Sequence, residues 1–386
     1  MIDPIPLSAP DITDSEIDAV VQVLRTPRLS LGPQMEAFES AMASLTHTPH
    51  AIAVSSGTAG LHLALLALNI SPGDEVIVPS FTFIAVANAV RYVGAHPVFA
   101  DIDPVTLNLA PAGVEAALTP RTRALIVVHT FGRPADMPAL TALARRHNLG
   151  LIEDACEAIG ATIDNRPVGS FSDAAVFAFY PNKQITTGEG GMVVTPRSET
   201  ARRIRALRNH GRYESAPDES PVGPPPSAAF SETHSELGFN YRLSEIPCAL
   251  GLAQLSRLDA ILARRDAIAR RYCERLAATP DLILPATDIP GQRLSWFVFV
   301  VRLADRFTVA HRDHLRAALA EQGIATGRYF APIHLQPAYD AWREAAHLPI
   351  TESIAGRTLA LPFFNRITDE QIQRVAIALQ SALPTL

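Results

Sequence analysis

The sequence predicts an α/β protein with a large domain, built on a mostly parallel sheet flanked by helices, and a smaller C-terminal α+β domain. Three observations predict it. From residue 51 short β-branched runs alternate with helical patterns, the order of strand and crossover helix in a doubly wound domain. At 386 residues and 48% hydrophobic the chain exceeds what one core usually organises. After a charged helical stretch at 257–279 the pattern changes to a strand-like SWFVFVVRL at 295–303 and further helix and strand patterns. The expected division is 1–256 for the large domain, N-terminal arm included, and 257–386 for the smaller one.

The expected strands of the large domain are AIAVS (51–55), EVIVP (75–79), HPVFA (96–100), ALIVVH (124–129), GLIED (150–154), AAVFAF (174–179) and GMVVT (191–195). Between them, AGLHLALLAL and DMPALTALARRH repeat apolar residues at three and four, the period of an amphipathic helix. SAPDESPVGPPP (215–226) is too rich in proline and too poor in apolar residues for core, and reads as a surface loop placed to cover a site.

A net charge of −6 without blocks of like charge leaves no electrostatic footprint for nucleic acid or an anionic membrane. A small-molecule ligand is the expectation. The N-terminus MIDPIPLSAPDITDSE carries acids and prolines where a signal peptide needs a basic start and an apolar run, so a soluble, cytoplasmic protein is expected. Cys156, Cys248 and Cys273 form no CxxC pair and suggest neither a disulfide framework nor a zinc site.

Lysine is the anomaly. Of 33 Lys and Arg residues, Lys183 is the one lysine, so nearly every site that needed only positive charge holds arginine. A guanidinium cannot lose its proton and condense with a carbonyl, whereas a primary amine can. The alternative is a surface lysine that escaped replacement. Its neighbours decide against that. Ser55-Ser56-Gly57-Thr58-Ala59-Gly60 follows a strand and opens a helix, where backbone N–H groups and the helix dipole can meet a phosphate, although a plain helix cap explains the same residues. Asp154 ends the strand GLIED, at the edge where ligands of open α/β sheets sit, and a carboxylate there can keep a pyridine nitrogen protonated. Lys183 follows the strand AAVFAF at the same edge. Phosphate turn, strand-end aspartate and post-strand lysine stand in the order that a site for pyridoxal 5′-phosphate (PLP) requires.

Across nearly its whole length the sequence resembles the DegT/DnrJ/EryC1/StrS family of sugar aminotransferases, within the aspartate-aminotransferase-like type I PLP fold. The matching runs are LSLGP (29–33), SSGTAGLHLAL (55–65), PSFTF (79–83), FADIDP (99–104), EDACEAIGA (153–161), FYPNKQITTGEGGMVVT (179–195), LGFNYRLSEI (237–246) and PIHLQPAY (332–339). The resemblance implies that Lys183 holds PLP as a Schiff base and shuttles protons, and that Asp154 pairs with the ring nitrogen. It implies that Gly57 and Thr58 bind the phosphate, that Phe83, or else Phe81, stacks on the ring, and that Glu157 stands beside the phenolic oxygen. Asn240 and Arg242 fall in a segment that in relatives reaches into the neighbouring subunit's site, which implies a homodimer with shared sites. Arg328, Tyr329 and His334 lie in the segment that borders the substrate. Ala178 departs from the family pattern, because many relatives carry there a serine that helps hold the phosphate. Relatives that replace the lysine with histidine are dehydratases, which Lys183 argues against.

The expected activity moves an amino group from an amino acid, L-glutamate first, to a keto group on a nucleotide-linked deoxysugar. Arg212 and Arg328 suit the diphosphate because a guanidinium matches phosphate oxygens in geometry and charge. A cyclitol aminotransferase, a lyase or decarboxylase on the same fold, and a PLP-binding regulator are the alternatives. Three other features read as structural: Asp101-Ile102-Asp103 as a strand-ending turn rather than a metal pair, His129 as a satisfied core histidine, and Cys156 as a small buried hydrophobe. No metal is expected.

Overall fold

The computed structural model describes residues 3–213, 233–344 and 346–385; the proline-rich run at 215–226 lies outside them. The large sheet has seven strands: β1 (His50–Val54), β2 (Glu75–Pro79), β3 (His96–Ala100), β4 (Thr122–Val128), β5 (Gly150–Asp154), β6 (Ala174–Ala178) and β7 (Gly191–Thr195). In space they run β1-β7-β6-β5-β4-β2-β3. The pairs from β6 through β3 are parallel, while β7 is antiparallel to both β6 and β1. Each expected strand forms, within two residues at either end. All five residues of β2 and of β7 are buried, because helices cover both faces, and their sequences are apolar runs rather than alternating patterns.

Helix α1 (Asp14–Leu24) and helix α2 (Pro33–Thr46) precede the sheet, and α3 (Gly57–Ala67) follows β1 directly. The sequence of α3, GTAGLHLALLA, is apolar nearly all round, and the helix is correspondingly buried between sheet and neighbours. A Cβ on Gly60 would lie 2.7 Å from Val176 Cγ1, so glycine sets how closely α3 approaches the sheet.

The second unit has its own antiparallel sheet of β8 (Leu282–Ile283), β9 (Phe299–Leu303) and β10 (Thr358–Leu361). Its core gathers Tyr272, Phe299, Leu315, Leu361 and Leu379. Two features differ from the expected division. The helix Leu258–Leu276 belongs to both cores, with Leu258, Ile261 and Leu262 in the large unit and Ile268, Tyr272 and Leu276 in the smaller. The N-terminal arm packs on the smaller unit: Ile5 is 1% exposed in its core, and Ile5 N donates to Gly323 O at 2.8 Å. Paired with Ile324 in an isolated bridge, the apolar Ile5 finds burial and backbone hydrogen bonds together. Among the described residues no single helix is long and apolar enough to cross a membrane.

Candidate active site

Strand ends bring the chemistry together. β5 delivers Asp154, which is 7% exposed and whose Oδ1 accepts from Cys156 N at 3.1 Å, so the chain turns tightly after the strand. β1 runs into Ser55 and Ser56, and Ser56 Oγ accepts from Ala59 N at 3.0 Å, capping α3. That leaves the amides of Gly57 and Thr58 at the helix start without an intrahelical acceptor. A Cβ built on Gly57 would lie 2.8 Å from Ala178 Cβ and 2.9 Å from Cys156 Sγ. Glycine is therefore needed where the start of α3, the end of β6 and the turn after β5 meet. The Cys156 thiol is pushed well above its ordinary range by burial and then by Asp154, with Lys183 acting in the opposite direction. It is an inert thiol amid the charged groups of the site.

Lys183 sits on a turn after β6, its N donating to Tyr180 O at 2.9 Å. The threonines of the motif pin that turn: Thr186 Oγ1 donates to Phe179 O at 3.0 Å and Thr187 Oγ1 to Glu189 O at 2.7 Å. Lys183 Nζ lies 3.6 Å from Glu157 Oε1 and 3.9 Å from the centroid of the Phe297 ring. Glu157 Oε2 accepts from Phe131 N at 2.9 Å. Burial raises the Glu157 carboxyl above its ordinary value, and Lys183 offsets part of the rise. Burial, with the negative charge of Glu157, likewise raises the phenol of Tyr329.

Of the two phenylalanines expected at the ring face, Phe81 is 0% exposed in an aromatic cluster with Phe131 and Phe330, while Phe83 is 62% exposed. Residues 240–242 run beside the end of β1: Ser55 N donates to Tyr241 O at 2.8 Å, and Arg242 pairs with Val54. Arg242 Nη1 donates to Asn209 Oδ1 at 2.7 Å in its own chain, whereas Asn240 is exposed. Arg212 is exposed and pairs with His234 through an isolated bridge. Arg328 is half exposed, with Nη2 3.0 Å from Asp313 Oδ2. His334 differs from expectation. It is fully buried, Nδ1 lies 2.7 Å from Ser80 Oγ and Nε2 3.2 Å from Glu352 Oε1, so it clamps the end of β2 and has no nitrogen left for a substrate.

The structural readings can be placed as well. His129 is fully buried, with Nδ1 accepting from Ala135 N at 3.1 Å and Nε2 3.1 Å from Glu153 Oε2. Asp101 caps the helix Pro349–Ala355 through Ile350 N and Thr351 N, and Asp103 Oδ1 accepts from Val105 N and Thr106 N. Three contributors had no sequence signal. Phe297 comes from the second unit. Gln184, next to Lys183, donates to Glu157 O at 2.6 Å and to Ser295 O at 2.9 Å. Arg265, 3% exposed, donates to Trp296 O and Phe297 O, holding Phe297 over the amine.

These residues fit PLP. A helix start with free amides suits its phosphate, Asp154 its ring nitrogen, Phe83 its ring face and Lys183 its aldehyde. Fold and site together define a type I PLP-dependent enzyme. The sequence model of the DegT/DnrJ/EryC1/StrS aminotransferase family matches residues 10–380, and the chain belongs to that family. Among solved structures it is similar to S. venezuelae DesV, determined in complex with a ketimine intermediate, at 39% identity over 98% of each chain with a TM-score of 0.87. DesI, determined in the presence of its TDP-sugar product, is 36% identical, with 99% of this chain and 94% of that one covered and a TM-score of 0.87. Helicobacter pylori PseC, an aminotransferase involved in the biosynthesis of pseudoaminic acid, is 26% identical over all of both chains with a TM-score of 0.91. The protein is a PLP-dependent aminotransferase of the sugar aminotransferase family.

Proposed function

We propose that the enzyme transfers an amino group from L-glutamate to the keto group of a nucleotide-linked deoxysugar, as a homodimer whose sites borrow residues across the interface. The observation that carries the reading is Lys183 Nζ held 3.6 Å from Glu157 and 3.9 Å from the Phe297 ring, beside the strand-end Asp154. Bound there, PLP supplies a protonated ring that draws electrons from a carbon–hydrogen bond of the amino acid. Asp154 keeps the ring nitrogen protonated, Gly57 and Thr58 hold the phosphate, and Phe83 bears on the ring face. Lys183 moves the proton at the reacting carbon, with Glu157 beside it as a proton-holding neighbour. Phe297 and Tyr329 exclude water around the amine. The exposed Asn240 is available to a second subunit, while Arg212 and Arg328 supply charge for a diphosphate. The acceptor class is supported by the likeness to DesI, whose structure was determined in the presence of its TDP-sugar product.

The test loads the enzyme with glutamate, removes the excess, and offers acceptors in a single turnover followed by product mass. A nucleoside-diphosphate-4-keto-6-deoxyhexose should take the amino group, and Arg212→Ala or Arg328→Ala should weaken its apparent binding. Faster discharge by pyruvate or oxaloacetate would show that the acceptor is a keto acid.

A further inference from the structure

Arg265 is a cation buried where the helix Leu258–Leu276 passes from the core of the large unit to that of the smaller. Its donors all go to neutral oxygens: Nε to Trp296 O at 2.6 Å, Nη2 to Phe297 O at 2.7 Å and Nη1 to Asn365 Oδ1 at 2.9 Å. The guanidinium lies 4.8 Å from the centroid of the Phe363 ring, and among the described residues it forms no ion pair. Burial pushes it down to about 10, and the charge of Asp11 opposes the shift. A buried charge is costly, and well-packed apolar side chains of similar volume often serve a core as well or better. Core packing alone therefore gives no reason for a guanidinium at this position.

What Arg265 fixes is the main chain of residues 296–297, which precede β9 and whose two carbonyls it takes. The same stretch is tied to the large unit at the fully buried Ser295. Its N donates to Gly132 O at 2.9 Å, and its O and Oγ both accept at 2.9 Å from Nε2 of Gln184, the neighbour of Lys183. From between these anchors the buried Phe297 lays its ring 3.9 Å from Lys183 Nζ, and Glu157 Oε1 stands 3.6 Å from the same nitrogen. A ring and a carboxylate thus bound the amine. We propose that Arg265 is a positioning residue for the reaction: by holding the 296–297 main chain it keeps the Phe297 ring against Lys183, so that the free amine stays within reach of the reacting carbon. The proposal rests on Lys183 being the reactive amine. A lysine stem is flexible, and misplacing a reacting group by about 1 Å can slow a reaction about 100-fold. A guanidinium that served only to satisfy two carbonyls would leave the amine where it is when lost.

Because Lys183 is the one lysine, enzyme labelled with carbon-13 at the lysine ε carbon and loaded with pyridoxamine phosphate, which leaves the amine free, gives one methylene signal. A ring face displaces nearby protons upfield, so this signal should lie upfield of free lysine. Phe297→Leu should abolish the displacement. Arg265→Met, which keeps the stem and loses the donors, should lose most of it, and Arg265→Gln, which keeps an amide donor, should retain part. In a single turnover of the PLP form with L-glutamate, Arg265→Met should be slowed about 10- to 100-fold at saturation, with half-saturation moved by less than about twofold. Cofactor absorbance shows that each variant is folded around its cofactor. A methylene signal unmoved in Arg265→Met, a displacement that survives Phe297→Leu, or an unchanged turnover rate would overturn the proposal. If Arg265→Met does not hold the cofactor, Arg265→Gln decides alone, and a signal at the wild-type position overturns it. Borohydride attachment away from Lys183 would instead remove the role of Lys183, and a wild type inert to glutamate would change the donor alone.

Discussion

Glu157 Oε1 lies 3.6 Å from Lys183 Nζ while its Oε2 accepts a 2.9 Å hydrogen bond from Phe131 N. Burial is the largest influence on this carboxyl and raises it above 4.5, with Lys183 opposing. An acid whose folded value is raised binds more protons folded than unfolded, so its contribution to stability is present below the unfolded value and is lost as pH rises through the folded one. Glu157→Gln keeps the acceptor for Phe131 and removes the charge. We expect the apo-protein melting temperature to rise by roughly 1–2 °C at neutral pH, with the gain shrinking as pH falls toward the ordinary carboxylate range. A gain that grows on acidification would show the opposite sign.

Lys183 is the one lysine of the chain, and that makes covalent attachment unambiguous. Borohydride should fix PLP to the peptide carrying Lys183, and Lys183→Ala should lose both the adduct and the yellow colour. Adduct at the N-terminal amine alone would remove Lys183 from its role.

Ala178 stands where the family pattern has serine, and its Cβ is 2.8 Å from a Cβ built on Gly57, at the start of α3. Ala178→Ser brings a hydroxyl to that phosphate cradle. A hydrogen bond to a charged group contributes about 1.5–3 kcal/mol, so PLP should dissociate roughly 10- to 100-fold less readily, measured by dialysis against a PLP scavenger. Weaker retention would mean that the site is already filled by close packing.

Glu153 is fully buried behind Asp154 and accepts from Gly169 N, Phe171 N and Ser172 Oγ as well as facing His129 Nε2. Burial raises its carboxyl, but His129 and the other donors outweigh burial and leave it lowered. Its stabilisation is therefore present above the unfolded value and lost as pH falls through the folded one. Glu153→Ala, which strands these donors, should cost about 3–5 kcal/mol in denaturant unfolding and loosen PLP through Asp154. A variant as stable as the wild type would show that the network contributes nothing.

A shared dimeric site is testable by mixing inactive variants. Asn240 is exposed, whereas Arg242 is held by Asn209 of its own chain, so Asn240 is the better candidate for crossing. Hybrids of Asn240→Ala with Lys183→Ala should regain about a quarter of the wild-type activity if Asn240 serves the partner's site, because random pairing puts half the dimers in hybrids with one intact site each. No recovery despite subunit exchange would place Asn240 in its own subunit's site.

The sequence by itself determined the sheet and the amine. Seven apolar runs became the seven strands because short, β-branched and mostly buried runs suit a sheet that helices cover on both faces. Lys183 was legible because replacing every other lysine with arginine leaves chemistry as the reason for keeping one. Asp154 and Gly57 were legible because strand ends and helix starts are local features. Tertiary structure decided what surrounds them. Gln184 meets Ser295 across 111 positions, and Glu245 caps α2 through Gly32 N and Met35 N, 213 and 210 positions away. Phe81 and Phe83 are indistinguishable in PSFTF, and only packing buried the first and left the second facing outward. His334 sits in a matching motif, yet Ser80 and Glu352 take both its nitrogens. Local propensity and periodicity carry no information about which distant side chain will fill a given direction, because that choice is made by the burial of both partners at once.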